Sequence, residues 1–159
     1  MNRIRLNVNG EDREVEVDPR RLLVHAVREE VGLTGTHVGC LTGDCGACTV
    51  LVDDRSVKSC SVLAVSADGA RLRTIEDLGT EDDLDPVQRA FLEEFAFQCG
   101  YCLPGMLLTV RELLDRDPDP GEEDIVQAVS GNLCRCTGYG PILRAVRSAV
   151  RATREADRP

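Results

Sequence analysis

Gly39-Cys40-Leu41-Thr42-Gly43-Asp44-Cys45-Gly46-Ala47-Cys48-Thr49-Val50 sets three cysteines at C-x4-C-x2-C in one glycine-rich loop, and Cys60 follows. This is the plant-type 2Fe–2S ligand spacing. Four thiolates must converge on a small, net-negative inorganic core, and the backbone between them must turn its N–H groups towards the sulfurs. Gly39, Gly43 and Gly46 allow backbone angles and close approaches that a side chain would forbid. Structural zinc sites usually set both cysteine pairs at short spacings, which x4 followed by x2 in one loop fits poorly. The loop therefore reads as an iron–sulfur site with Cys40, Cys45, Cys48 and Cys60 as ligands.

On the N-terminal side, Ile4, Leu6 and Val8 alternate with polar residues, as do Val15 and Val17 after Asn9-Gly10. That predicts a β-hairpin with a type I′ turn. Asp18-Pro19 is expected to cap a helix carrying Leu22, Leu23, Ala26, Val27 and Val31, which Gly32 ends. Beyond the loop, Thr49 to Val52 reads as a strand, Asp53-Asp54-Arg55 as a turn, Val57 to Val65 as strand-like, and Arg71 to Thr74 as a last short strand. Residues 1–76 thus predict a small mixed sheet wrapped on one helix.

An acidic linker, 77–84, follows. Past it the apolar period changes from two to about 3.6. Asp85-Pro86 opens a helix with Val87, Ala90, Phe91 and Phe95; Pro104 opens one with Met106, Leu107, Val110, Leu113 and Leu114. Asp119-Pro120 opens a third with Ile125, Ala128 and Val129, and Pro141 a fourth with Ile142, Val146, Ala149 and Val150. Phe91, Phe95 and Met106 are expected in the core. Four short amphipathic helices over 85–159 predict a helical bundle, and the fold class is α+β.

The other four cysteines lie between those helices, in Gln98-Cys99-Gly100-Tyr101-Cys102 and Gly131-Asn132-Leu133-Cys134-Arg135-Cys136-Thr137-Gly138-Tyr139. The spacing is C-x2-C, 31 residues, then C-x-C. An antiparallel bundle can bring two such loops together at one end, with helix N-termini facing a negative group. On spacing alone, structural zinc and a second iron–sulfur cluster both remain open.

Hydrophobic content of 42% and charged content of 30% describe an ordinary globular chain. Eight cysteines could form four disulfides in a secreted protein. Met1-Asn2-Arg3-Ile4-Arg5, however, leads straight into the alternating pattern with no apolar signal region, and no run approaches a membrane span. A cytoplasmic protein with reduced, metal-ligating cysteines is expected. The net charge of −9 disfavours nucleic acid and anionic membrane as partners. Two oxidised clusters with their thiolates would take it to about −13. A Rieske centre would need two histidines as ligands, but the cysteines already complete two sets, so His25 and His37 read as surface or packing residues. Arg144, Arg147, Arg151 and Arg154 form a stripe that reads as a solvated face, with a docking edge for an acidic partner as the alternative.

Together, Leu33-Thr34-Gly35, Gly39-Cys40, Cys45-Gly46-Ala47-Cys48-Thr49-Val50, the Gln98–Cys102 motif, Pro104-Gly105-Met106 and the Gly131–Tyr139 motif resemble the small iron–sulfur subunit of the molybdenum hydroxylases. This is the xanthine dehydrogenase and aldehyde oxidoreductase family, and the resemblance covers essentially the whole chain. Leu22-Leu23-Val24-His25, Thr36-His37-Val38-Gly39-Cys40 and Ser56-Val57-Lys58-Ser59-Cys60 look closest to the small subunit of aerobic carbon monoxide dehydrogenase. Where Leu103 stands, the family usually has Thr.

The resemblance implies an N-terminal ferredoxin-like β-grasp domain, a C-terminal four-helix bundle and one 2Fe–2S cluster in each. Cys99, Cys102, Cys134 and Cys136 would hold the second. It also implies that Gln98 and Cys136 lie near the molybdopterin of a large partner subunit. The first cluster would face FAD on a medium subunit, within a dimer of heterotrimers. The chain would then be an electron-transfer subunit with no catalytic residue of its own, serving a carbon monoxide dehydrogenase-like enzyme or an N-heterocycle, aldehyde or xanthine hydroxylase. Two alternatives are a stand-alone two-cluster ferredoxin and a scaffold protein with structural zinc.

Overall fold

The computed structural model describes residues 1–156. Asn9 and Gly10 take φ of 53° and 83°, the doubly left-handed turn that matches the twist of its flanking strands. Those strands, β1 (Asn2–Val8) and β2 (Glu11–Val17), are antiparallel, with Val8 opposite Glu11 and Asn2 opposite Val17. Alternation buries Ile4, Leu6, Val8 and Val17 and leaves the charged residues outside. A second hairpin, β3 (Thr49–Val52) and β4 (Arg55–Lys58), turns at Asp53 and Asp54, with φ of 47° and 65°. Between the hairpins lies β5 (Arg71–Arg73), parallel to β1 and antiparallel to β3. The sheet is therefore mixed, in the order β2-β1-β5-β3-β4.

The first helix departs from expectation. Asp18 does accept a backbone N–H, but from Arg20 at 2.8 Å, so it closes a local turn instead of capping a helix. Leu22 is then held extended by a bridge to Leu63, where the Leu23 N–H donates to Val62 O at 2.8 Å. Tertiary pairing thus delays helix α1 to Leu23–His25, and it widens at once into a π turn over Ala26–Glu30. Cys60 lies in a 3-10 turn, Ser59–Ser61, where the sequence pattern predicts a strand. That tight turn aims its N–H at the sulfur of Cys48, 3.4 Å away.

Four helices follow: α2 (Pro86–Glu93), α3 (Leu103–Arg116), α4 (Glu122–Ser130) and α5 (Gly140–Ala156). Asp85 caps α2 as expected, accepting from Val87 N at 2.8 Å while Gln88 Oε1 accepts from Asp85 N at 2.9 Å. Pro120 precedes the N-cap, which is Gly121, instead of opening α4. Phe91, Met106, Leu113, Ile142 and Val146 share one buried apolar core. Each such side chain contributes about 1.5–3 kcal/mol relative to exposure. Phe95 does not join them. It takes a left-handed φ of 50° just past the end of α2 and is 81% exposed. Three of the arginines on α5 are spent on neighbours within the chain: Arg144 pairs with Glu94, Arg147 with Glu122 and Arg154 with Asp119. These three ion pairs run along an exposed face, which is the solvated-face reading of the stripe.

Helix α3 packs on β3 and joins the two cores. A Cβ on Gly105 would stand 2.2 Å from the carbonyl oxygen of Gly46, so helix and cysteine loop touch backbone to backbone.

Candidate iron–sulfur sites

The eight cysteines are free thiols that gather in two sets. In the first, the Cys45 N–H points at the Cys40 sulfur from 3.5 Å, and the Cys60 N–H at the Cys48 sulfur from 3.4 Å. In the second, Cys99 and Cys136 stand 3.5 Å apart, sulfur to sulfur, and Cys102 meets Cys134. Among the described residues no three His, Cys, Asp or Glu side chains converge as on a lone ion. The sulfurs associate two by two, an arrangement that fits a core of two irons with two thiolates each.

Local backbone builds the first site. Thr42 N and Cys45 N point at the Cys40 sulfur, at 3.4 and 3.5 Å. Gly39 has no left-handed φ; its role is space, since a Cβ there would lie 2.8 Å from the Cys45 sulfur. Hydrogen bonds from Thr42 and Cys45 hold the Cys40 thiol down to about 6. Burial pushes Cys48 up to about 11 and raises Cys45 as well. The outer edge of the site is thus ready to ligate at neutral pH, and its inner edge is kept dry. Donors aimed at sulfur and exclusion of solvent are the protein's means of setting a cluster's potential.

Tertiary contacts build the second site. Cys102 is the N-cap of α3, at the partially positive end of that helix. Burial pushes its thiol up to about 12. The Tyr101 N–H helps to lower Cys99, from 3.5 Å. Burial would raise Cys134, but donation from Thr137, Cys136 and Cys102 outweighs it. The Tyr139 hydroxyl accepts from Cys134 N at 2.9 Å and donates to Asn132 O at 3.0 Å, pinning the loop across its own width. Leu103 packs against the helical core, so an apolar residue is accommodated beside Cys102. Gln98 and Cys99 are exposed and Cys136 is half-buried, so this edge faces outwards.

A cavity of about 270 Å³ lies between the two sites, lined by Gly39, Cys45 and Ala47 from one side and Tyr101, Cys102 and Cys134 from the other. The Leu133 N–H donates to Cys45 O at 2.8 Å. His37 is a packing residue: its ring stacks on Tyr101 with centroids 4.7 Å apart, and Nδ1 lies 2.8 Å from Tyr101 O. Tyr101 in turn donates its hydroxyl to Val38 O at 2.7 Å. His25 pairs with Glu29 on its own helical turn. The roles of Lys58, Thr49, Asn132 and Thr109, which link the two loops, carry no signal in the spacing of the cysteines. Only the distance between Thr49 and Asn132 in the fold, 3.4 Å across 83 residues of chain, exposes them.

Two family models match: "2Fe-2S iron-sulfur cluster binding domain" over residues 6–74 and "[2Fe-2S] binding domain" over residues 74–147. The chain is 48% identical to the nicotinate dehydrogenase small FeS subunit of Eubacterium barkeri, over 92% of this chain and 94% of that one. Its fold superposes on a chain of quinoline 2-oxidoreductase from Pseudomonas putida 86 with a TM-score of 0.91, at 42% identity, covering 99% of this chain and 98% of that one. Against the aldehyde oxidoreductase of Desulfovibrio desulfuricans the TM-score is 0.93 at 39% identity, covering 98% of this chain and 17% of that one.

Proposed function

Because this chain belongs to the family of small 2Fe–2S subunits of molybdenum hydroxylases, we propose that it relays single electrons between a molybdenum cofactor on a large partner subunit and FAD on a medium one. The observation that carries this reading is the pairing of eight thiols in two sets of four on either side of one cavity. Cys40, Cys45, Cys48 and Cys60 would hold the first cluster, and Cys99, Cys102, Cys134 and Cys136 the second. When bound, each cluster takes up and releases one electron at a time. The protein's part is to aim N–H groups at sulfur, to exclude water from Cys48, Cys60 and Cys134, and to fix the separation of the two sites.

Gln98 and Cys136, at the outward edge of the second site, would face the molybdopterin of the large subunit. The division into a β-grasp domain (1–76), a linker (77–84) and a four-helix bundle (85–159) belongs to the same reading, as do a dimer of heterotrimers and a cytoplasmic location. No helix among the described residues is long and apolar enough to cross a membrane. Two of the relatives are named for nitrogen heterocycles, nicotinate and quinoline. That favours an N-heterocycle hydroxylase over a carbon monoxide dehydrogenase, with substrate chosen on the partner subunit.

Metal analysis and electron paramagnetic resonance on the co-purified complex test the reading. About four irons per chain and two distinct reduced-cluster signals are expected. Two irons with one zinc would remove the second cluster. A monomeric holoprotein serving unrelated oxidoreductases would favour the stand-alone ferredoxin instead.

A further inference from the structure

Lys58 ends β4, two residues before Cys60, and belongs to neither cysteine set. Its Nζ lies 2.7 Å from Gly131 O, 3.0 Å from Asn132 Oδ1 and 3.2 Å from Thr49 Oγ1. Each of the three is an acceptor here. A carbonyl can only accept. The Asn132 amide is oriented because its Nδ2 donates to Thr109 Oγ1 at 2.9 Å, and the Thr109 hydroxyl gives its own hydrogen to Gly105 O at 2.9 Å. Thr49 spends its hydrogen on Gly46 O at 2.7 Å. Three acceptors around one nitrogen require three hydrogens, which only the charged ammonium has. The network is closed: three backbone carbonyls, of Gly131, Gly46 and Gly105, terminate it, and Lys58 is its sole charge.

The position of that charge matters as much as its bonds. Thr49 and Lys58 belong to the sheet, whereas Gly131, Asn132 and Thr109 belong to the helical side and its second cysteine loop. Lys58 pairs across the strands with Thr49, the neighbour of Cys48, and stands two residues before Cys60, so its ammonium is held beside the first site; burial lowers its pKa, and the first-site thiols oppose that shift. Half-buried charge is screened far less than charge in open water. A fixed cation stabilises a cluster more after it has gained an electron, because the cluster is then more negative.

Resting on the reading that these four cysteines hold a cluster, we propose that Lys58 is a positioning residue with two effects. It ties the second cysteine loop to the first at one register. Its charge also raises the reduction potential of the first cluster above what the thiolates alone would give, drawing electrons from the second cluster to the first.

The test is a redox titration of both cluster signals by electron paramagnetic resonance, with thermal unfolding, on the assembled complex carrying Lys58→Met or Lys58→Arg. In Lys58→Met the first-cluster midpoint moves to more negative potential, and the second moves by less than half as much. Lys58→Arg keeps the charge but not the three convergent bonds, so it melts earlier while the first-cluster midpoint stays with the wild type. Unmoved midpoints in Lys58→Met overturn the proposal, as do equal shifts in both variants that merely track the loss of stability. Should Lys58→Met fail to assemble, Lys58→Gln removes the charge with less disruption and carries the same expectations. Absence of a first-cluster signal from the wild-type complex would instead refute the ligand assignment itself. Two normal signals with an unmoved midpoint refute only the role of Lys58.

Discussion

Three of the first site's cysteines come from the single stretch Cys40–Cys48, whereas the second site draws its four from two loops separated by α3 and α4. The donors that surround Cys40 and Cys48 belong to residues of the site itself: Thr42, Cys45 and Cys60. In the second site the Thr137 hydroxyl donates to the Cys134 sulfur, while the Tyr139 hydroxyl accepts from Cys134 N and donates to Asn132 O; that brace lies within one loop, and the other loop, with Cys99 and Cys102, is brought to it by packing. The two loops are also bonded to each other: the Leu133 N–H donates to Cys45 O, and Lys58 donates to Gly131 O and Asn132 Oδ1. A site assembled from local backbone can serve as the reference against which a site assembled from tertiary contacts is aligned.

The largest expected effect separates the two. Cys136→Ala should abolish the second cluster's signal, lower iron from about four to about two per chain, and leave the first cluster's spectrum intact. Loss of both signals from a folded protein would break the partition of ligands. Next comes Gly46→Ala, at the seam. Its φ is 73°, and a Cβ would stand 2.0 Å from Asn132 Oδ1 and 2.5 Å from Gly131 O. A left-handed alanine and a clash with a packed neighbour should together cost about 2 kcal/mol or more. Denaturant unfolding of the holoprotein measures that cost, and the line shape of the second cluster should change more than that of the first. Wild-type unfolding with both spectra unchanged would show that the loops are not coupled.

The smallest effect concerns the thiols of the metal-free chain. With Cys40 lowered to about 6, its alkylation by iodoacetamide should be near its plateau at pH 7 and fall as pH drops through about 6. Cys48 and Cys102 should react appreciably only towards pH 11 and 12. The linkage follows the same signs. Stability contributed by the lowered Cys40 is present above the ordinary thiol range and lost as pH falls through about 6; that of the two raised thiols is present below it and lost as pH rises through their own values. Peptide-resolved mass spectrometry across pH reads all three, and equal rates at pH 7 would erase the contrast between outer and buried sulfurs.

The reach of the sequence differs between the two halves for the same reason. Asn9-Gly10, Asp85-Pro86 and the backbone of the C-x4-C-x2-C loop were legible because a turn, a cap and a glycine-rich cysteine loop are decided within a few residues. Asp18-Pro19 misled because the cap competes with a bridge between Leu22 and Leu63, 41 residues apart. Phe95 fits the apolar period of α2, yet the helix ends two residues earlier and turns it outwards. The three tethers on Lys58 give no periodicity and no spacing to read.

By itself, then, the sequence determined the cysteine motifs, the change from sheet to helices, and the family, since each rests on residue types at short separations. Tertiary structure alone decided which sulfurs pair, that the Asn132 carbonyl and the Gly131 backbone close over Gly46, and that a single ammonium bridges the two loops. The physical reason is distance along the chain. Contacts such as Lys58 with Gly131, 73 residues on, form only when whole elements dock, and no local preference of the residues encodes where docking will bring them.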